Sequence, residues 1–145
     1  YGDHRDLHVR SRRQRQMCIR DSLDAPCSAT GTIRKHPDLI FLKNKNELGK
    51  YIKTQQALLE KALSLLSTQG QLIYCVCSVQ KNEGIKQVDH ILKKFKNIKR
   101  EPIKKSEFTQ FEKYITKDGD IQTFPYMKKP GGMDGFFISR LYKEY

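Results

Sequence analysis

The sequence lacks a long apolar run. None of its apolar segments approaches the roughly 20 residues that a membrane-spanning helix needs. The N-terminal region also lacks the apolar core of a secretory signal. These two absences predict a cytoplasmic protein with no membrane partner, in which thiols stay reduced.

Cysteine pairs with the spacing of zinc ligands are missing as well. No two cysteines form a CxxC pair, so the sequence predicts no metal site. Cys75 and Cys77 would face the same side of a strand, a spacing compatible with a redox or metal pair. A buried strand cysteine is the commoner interpretation of Cys75. The four cysteines of the chain are Cys18, Cys27, Cys75 and Cys77.

Acidic residues are few relative to basic ones. The chain has 28 Lys and Arg against 16 Asp and Glu, which gives a net charge of +12. Such a balance favours an anionic partner such as nucleic acid, and a solubilising lysine surface explains it equally well. The length of 145 residues suits one domain with a substantial core.

Lysine is absent from residues 1–22, where all six basic side chains other than His are Arg. Residues 23–145 contain 19 Lys and only three Arg, so the head and the rest are predicted to be different segments. The head is interpreted as a basic RNA-binding arm, a disordered tail or foreign sequence, and we favour foreign sequence. Of the strand expected before Asp24, only Leu23 would then remain.

Hydrophobic periodicity predicts an α/β fold with a parallel core. In such sheets ligands bind beyond the carboxyl ends of the strands, which is where Asp24, Cys27 and Cys77 fall. Asn46 is expected to cap the first helix and Gly70 to end it. The predicted helices span 46–68 and 81–95, and the predicted strands span 71–77, 97–103, 121–124 and 136–142.

Residues 23–38, LDAPCSATGTIRKHPD, carry the strongest chemical signal. A carboxylate, Asp24, lies three residues before a thiol, Cys27, and Pro26 stiffens the link. A second thiol, Cys77, ends the apolar run 71–77. Two thiols and one acid at the ends of two buried strands indicate a nucleophile site.

These residues also carry a resemblance. DAPCSATG at 24–31 resembles the DAPCSGTG motif of RNA (cytosine-5) methyltransferases of the Sun/RsmB type. CVCSV at 75–79, followed by Asn82 and Glu83, is similar to that family's second cysteine motif, and GGMDGFFI at 131–138 is similar to its closing strand. The resemblance implies the C-terminal part of a class I methyltransferase domain: a truncated Rossmann-like fold with a mostly parallel sheet. It also implies S-adenosylmethionine as cofactor, RNA, and specifically rRNA, as partner, and a monomer.

The resemblance assigns roles by position. Cys77 would add to C6 of a cytosine and Cys27 would assist release of the adduct. Asp24 would contact both cofactor and base, and the carbonyl of Pro26 would face the exocyclic amine. The chain departs from the family at Ala29, where Gly is usual, and at position 76, where Val replaces Thr. The family's glycine-rich cofactor loop lies upstream of Asp24 and is not in this sequence, so we expect the fragment alone to be inactive.

Two alternatives remain open from the residues alone. One is a basic RNA-binding module with no catalysis. The other is a thiol redox protein using Cys75 and Cys77, although regular strand geometry would strain a disulfide between them.

Overall fold

The computed structural model describes residues 20–42, 45–127 and 132–145. In this part of the chain, helices pack against a five-stranded sheet, which confirms the predicted α/β class. The helices are α1 (Leu39–Leu42), α2 (Lys45–Leu65) and α3 (Ile85–Lys94), with short 3-10 helices at Thr30–Thr32, Lys105–Glu107 and Thr109–Tyr114. The strands are β1 (Arg20–Asp24), β2 (Gln71–Val76), β3 (Ile98–Arg100), β4 (Ile121–Gln122) and β5 (Phe137–Lys143).

The sheet is mixed, in the order β1-β2-β5-β3, with β4 also pairing with β5. β1 and β2 run parallel, and Asp24 lies opposite Cys75. The sequence predicts a mostly parallel sheet, but in this part of the chain only that pair is parallel. β5 returns antiparallel beside β2 and pairs antiparallel with β3 and β4 on its other side. The parallel pair matters for the site, because it brings the ends of β1 and β2 to one edge.

The core lies between the sheet and one layer of helices. α2 contributes Leu59, Leu63 and its neighbour Leu66, all at most 3% exposed. Burying a leucine side chain stabilises a fold by roughly 2 kcal/mol, so this stripe is a main attachment of α2 to the sheet. The other buried apolar residues of this core are Ala25, Leu72, Tyr74, Val76, Val88, Ile91, Ile98, Phe137 and Leu141.

Strand β2 lies inside the sheet and is more deeply buried on one face than on the other. A near-continuous apolar run is typical of a strand covered on both faces, but burial alternates along β2: Leu72, Tyr74 and Val76 are buried, and the residues between them are half-buried. β2 is not an edge strand, because it pairs with β1 on one side and with β5 on the other.

The ends of α2 also differ from expectation. The helix begins at Lys45, so Asn46 lies inside its first turn instead of capping it. The residue with left-handed backbone after the helix is Gln69 (φ 62°), not Gly70. Gly70 is required for space instead, since a Cβ there would lie 2.8 Å from the Leu66 side chain. Close packing, not a helix stop, explains this glycine.

The head is described only from Arg20. Residues 20–22, which the sequence analysis placed in the head, form the first part of β1 and pair with residues 71–73. β1 therefore begins three residues before Leu23, and the division of the chain at Leu23 stays a prediction. The rest of the head lies outside the described residues, and its foreign origin stays a prediction. Among the helices of the described residues, none is long and apolar enough to cross a membrane.

Candidate active site

Two thiols meet at the carboxyl edge of the parallel strand pair. Cys27 follows β1 and Cys77 follows β2, and their Sγ atoms are 3.4 Å apart. The backbone N–H of Ala25 donates to the Cys75 carbonyl oxygen (3.1 Å), which continues the β1–β2 pairing into the loop. Both thiols are half-buried and neither is in a disulfide. The sequence placed these residues at one rim, and the structure brings both sulfurs into contact there.

The surroundings of Cys27 favour its neutral thiol form. Burial raises the pKa of the Cys27 thiol to about 12, and the Cys77 sulfur and the Glu83 charge add to the rise. A hydrogen bond with the Ala29 backbone opposes it. Cys27 therefore keeps its proton at neutral pH. A protonated Cys27 can donate its S–H to the Cys77 sulfur, and the contact itself allows either thiol to be the donor.

The acid of the first motif lies at the same edge. Asp24 is exposed at the end of β1, opposite Cys75 of β2. Burial and the Asp24 charge raise the pKa of the Cys75 thiol to about 11, which favours an inert thiol at neutral pH. No distance places Asp24 against Cys27 or Cys77, so its role stays a prediction.

The carbonyl of Pro26 points into the protein. Its oxygen accepts a hydrogen bond from Gln55 Nε2 of α2 at 3.0 Å. Gln55 is fully buried among the apolar residues of α2. A carbonyl oxygen has a second lone pair, so the predicted contact of Pro26 with a cytosine amine stays a prediction.

A fully buried carboxylate, Glu83, ties the two cysteine loops together. Ser28 donates to it through its backbone N–H (2.8 Å) and its hydroxyl (2.5 Å), and the Ser78 hydroxyl donates at 2.5 Å. Gln55 Nε2 donates at 3.0 Å. The sequence analysis quoted Glu83 only as part of a motif and gave it no role. The feature of the sequence that could have identified Glu83 as a site residue was its place in the Asn-Glu pair after the second cysteine motif.

Backbone contacts join the first motif to the closing strand motif. Gly31 N–H donates to the Cys77 carbonyl oxygen (3.0 Å), and Gly135 N–H donates to the Gly31 carbonyl oxygen (2.7 Å). Beside them, Asp134 forms ion pairs with Lys35 (2.7 Å) and Arg34 (3.4 Å). The Lys35 ammonium, with further help from Arg34, lowers the pKa of the Asp134 carboxyl. Both cations are therefore paired with a carboxylate of the closing strand motif.

Ala29 adopts the backbone conformation that its sequence position implies for glycine. Its φ is 56° and its ψ 23°, in the left-handed region. This conformation costs an L-residue about 1–2 kcal/mol, because Cβ crowds the carbonyl oxygen. The sequence analysis noted that Ala replaces the family's Gly here, and the strain is the structural consequence.

We expect Ala29→Gly to stabilise the protein. Relief of the left-handed strain exceeds the extra unfolded-state entropy of Gly, for a net gain of about 0.5–1 kcal/mol. Urea unfolding followed by circular dichroism measures it. Ala57→Gly is the matched control: Ala57 lies exposed within α2, and the same change should there cost about 1 kcal/mol. Equal losses at both positions would contradict the assignment of strain to Ala29.

An open apolar cavity of about 370 Å³ lies elsewhere, beside β4 and β5. Its walls include Phe108, Met133, Phe136 and Ile138 and contain neither Cys27 nor Cys77. The two thiols therefore lie at the rim of β1 and β2, outside this cavity. The described residues contain no group of three or more His, Cys, Asp or Glu side chains that could hold a metal ion.

The fold and the rim define the class. A parallel pair continued by an antiparallel strand, with two thiols at its carboxyl edge, fits the C-terminal part of a class I methyltransferase fold. The solved structure of PH0851 is similar, with a TM-score of 0.76 and 28% identity, and the match covers 88% of this chain and 27% of that one. A methyltransferase homolog protein from Pyrococcus horikoshii shares the fold, with a TM-score of 0.68 and 22% identity over 95% of this chain and 42% of its own.

The particular family follows from the sequence match. The family model of the 16S rRNA methyltransferases RsmB/F matches residues 3–142, and the chain belongs to this family. It is 33% identical over 121 residues to ribosomal RNA small subunit methyltransferase B of Pasteurella multocida. That match covers 83% of this chain and 25% of the relative, so the chain spans about a quarter of the length of the curated relatives it matches.

Proposed function

We propose that this chain is the nucleophile-bearing part of an enzyme that transfers a methyl group from S-adenosylmethionine to C5 of a cytosine in ribosomal RNA. The single observation that carries the proposal is the 3.4 Å contact between the Cys27 and Cys77 sulfurs at the rim of the parallel strands. Family membership supplies the substrate class, and the pair of thiols supplies a covalent route. The activity belongs to the whole enzyme, and we expect the fragment alone to be inactive.

Covalent catalysis answers the chemical difficulty of this reaction. C5 of cytosine is a poor nucleophile, and addition of a thiolate to C6 makes the ring enamine-like, so that C5 can take a methyl group. A base then removes the C5 proton, the C6–S bond breaks and the thiolate leaves. We assign the addition to Cys77, whose sulfur lies 3.4 Å from the Cys27 sulfur.

Cys27 suits the final step. Its thiol stays protonated at neutral pH, because burial raises its pKa to about 12. When the C6–S bond breaks, negative charge returns to the Cys77 sulfur, and an S–H donor already in contact stabilises it. Cys27 therefore assists release of the adduct without becoming a nucleophile itself.

The residues of this chain fit the cofactor at one point. S-adenosylmethionine supplies a methyl group on a positively charged sulfonium, and the exposed Asp24 carboxylate at the end of β1 is of the right charge to face it. We assign Asp24 to the space between cofactor and base. Pro26, through the free lone pair of its carbonyl, is assigned to the exocyclic amine of cytosine.

RNA as substrate agrees with the charge of the chain, which is +12. A base must leave its stack to reach a half-buried thiol, so we expect the target in a single-stranded or looped segment. A cytoplasmic location and a monomeric state stay predictions.

The test is a mechanism-based trap. It uses a chimeric enzyme in which residues 20–145 replace the matching segment of the Pasteurella multocida relative. RNA carrying 5-fluorocytosine cannot lose a proton from C5, so a Cys77 adduct should persist and shift the protein on a denaturing gel. Cys77→Ser should abolish the adduct, because a hydroxyl at this position does not ionise at neutral pH.

A Cys75→Ala variant is the matched thiol control and should trap as well as the unmodified chimera. RNA that binds with no adduct in the unmodified chimera would favour the alternative, a non-catalytic RNA-binding module. A mixed result, with an adduct that survives Cys77→Ser and is lost in Cys75→Ala, would move the nucleophile to Cys75.

A further inference from the structure

Glu83 lies below the thiol pair with no exposed surface, and the reaction scheme above does not use it. We propose that Glu83 is a positioning residue: by binding the serine that follows each cysteine, its carboxylate holds the Cys27 thiol against the Cys77 sulfur. The functional meaning of this role rests on the proposed function, since it concerns the same two thiols. The geometric coupling itself is independent of RNA and cofactor.

The hydrogen bonds of Glu83 reach both cysteine loops. Oε2 accepts from the hydroxyls of Ser28 and Ser78, each at 2.5 Å. Ser28 is bonded to Cys27 along the chain and Ser78 to Cys77, so one oxygen atom links positions adjacent to both sulfurs. These segments are otherwise 50 residues apart in sequence.

The remaining oxygen anchors the same group to the loop and the helix layer. Oε1 accepts from the Ser28 backbone N–H (2.8 Å) and from Gln55 Nε2 (3.0 Å). A carboxylate has about four lone-pair sites, and four donors fill them. An isosteric amide would place an NH₂ group where one of the oxygens accepts, and would lose at least one of these bonds.

The backbone of Glu83 is itself fixed. Its carbonyl oxygen accepts from the buried Tyr74 hydroxyl at 2.6 Å, and its N–H donates to the Gln80 carbonyl oxygen at 3.0 Å. The Gln80 N–H in turn donates to the Ser78 hydroxyl oxygen at 3.0 Å. Because its backbone is held in this way, the Glu83 carboxylate keeps a fixed position. The two cysteine loops that bind it are positioned by it.

The charge of Glu83 has a second effect on the pair. It contributes to the raised pKa of Cys27, and so helps to keep that thiol protonated. Two substitutions of Glu83 can therefore separate the effect of its side-chain length from the effect of its negative charge. Glu83→Asp keeps the charge and withdraws it by one methylene, whereas Glu83→Gln keeps the length and removes the charge.

The first experiment measures how closely the two thiols are held. The chain is equilibrated with mixtures of reduced and oxidised glutathione: two protein thiols become one disulfide while one glutathione disulfide becomes two thiols. Mass spectrometry quantifies the Cys27–Cys77 disulfide, and the equilibrium gives the effective concentration of the pair. We expect Glu83→Asp and Glu83→Gln each to lower it by about tenfold, because loss of orientation lowers effective molarity.

Leu66→Ala is the matched control. Leu66 is buried in the core and packs beside Gly70, at the end of β2 away from the thiols. It should lower stability and leave the effective concentration unchanged under conditions where it is folded. An equal fall in Leu66→Ala, or values within about twofold of the parent in both Glu83 variants, would show that Glu83 does not position the thiols.

The second experiment follows alkylation of Cys27 by iodoacetamide against pH. Glu83→Gln should shift the Cys27 profile to lower pH, because a buried negative charge has been removed, and Glu83→Asp should shift it much less. A merely structural role predicts the same profile in both variants.

If neither variant folds, Ser78→Ala removes one donor only, and an effective concentration equal to that of the parent would overturn the proposal. Neither readout uses RNA, so failure of the 5-fluorocytosine trap would refute the proposed function and leave this result standing.

Discussion

Gly31→Ala is expected to lower the free energy of unfolding by about 3 kcal/mol, at the upper end of the usual cost of overpacking. A Cβ at position 31 would lie 1.8 Å from the Gly135 carbonyl oxygen and 2.9 Å from the Cys77 carbonyl oxygen. Both contacts are with backbone, which cannot rotate away as a side chain can. To accommodate the methyl group, the first cysteine loop must move away from both the second cysteine loop and the closing strand motif.

Gly49→Ala is the control for this prediction, because it is the same substitution in open space. Gly49 lies exposed in α2 with no atom within 4 Å of its Cβ position, and Ala there should stabilise the helix by about 1 kcal/mol. Urea unfolding of the two variants should therefore give changes of opposite sign. A Gly31→Ala protein as stable as its parent would mean that the contact between the two motifs is looser than the structure indicates.

The meeting of the two thiols could be predicted from the sequence because it follows from topology. The apolar run 71–77, which follows a long amphipathic helix, indicates a parallel strand, and the resemblance implies a second strand that ends at Asp24; parallel strands end at the same edge of a sheet. Cys77 ends the apolar run and Cys27 lies in the loop just after Asp24, so no knowledge of side-chain packing was needed to bring them together. The same reasoning placed Asp24 at that edge.

The features that the sequence did not reveal depend on contacts between distant segments. Glu83 reads as a polar residue at the start of a helix, and only the fold shows it fully buried below both cysteine loops. Gly31 reads as a turn residue, but the Gly135 backbone is what excludes a side chain there. Gln55 falls on the apolar stripe of α2 and is buried as a polar link to Pro26. Helical spacing identifies a buried face and does not tell which of its positions hold polar partners.

The inner face of α3 also contains a buried polar side chain that apolar spacing does not identify. Val88 is fully buried in the core and Ile85, Leu92 and Phe95 pack against it, and the structure adds Ile91 and Gln87 to the buried residues. Gln87 Nε2 donates to the Ile52 carbonyl oxygen (3.1 Å) and to Gln55 Oε1 (3.2 Å). A glutamine that joins two helices in the interior is a buried polar side chain that a purely apolar pattern cannot indicate.

Cys27→Ala should cause the chimeric enzyme to accumulate covalent adduct on ordinary RNA when S-adenosylmethionine is present. In the proposed scheme the thiolate of Cys77 is the leaving group of the last step, and the Cys27 S–H at 3.4 Å stabilises the charge that returns to it. Removing such a proton donor slows a step by about 100-fold or more. Addition does not need Cys27, so the adduct should form normally and break down slowly.

The measurement is the fraction of protein that migrates as an RNA adduct on a denaturing gel during turnover, with Cys75→Ala as the thiol control. Cys75 is half-buried in β2, and burial raises its pKa to about 11. The proposed scheme gives Cys75 no role in release of the adduct. Its replacement should leave the adduct fraction at the parent level. If Cys27→Ala turns over as fast as the parent with no accumulated adduct, the release step does not use the neighbouring thiol, and the close approach of the two sulfurs must serve the addition step instead.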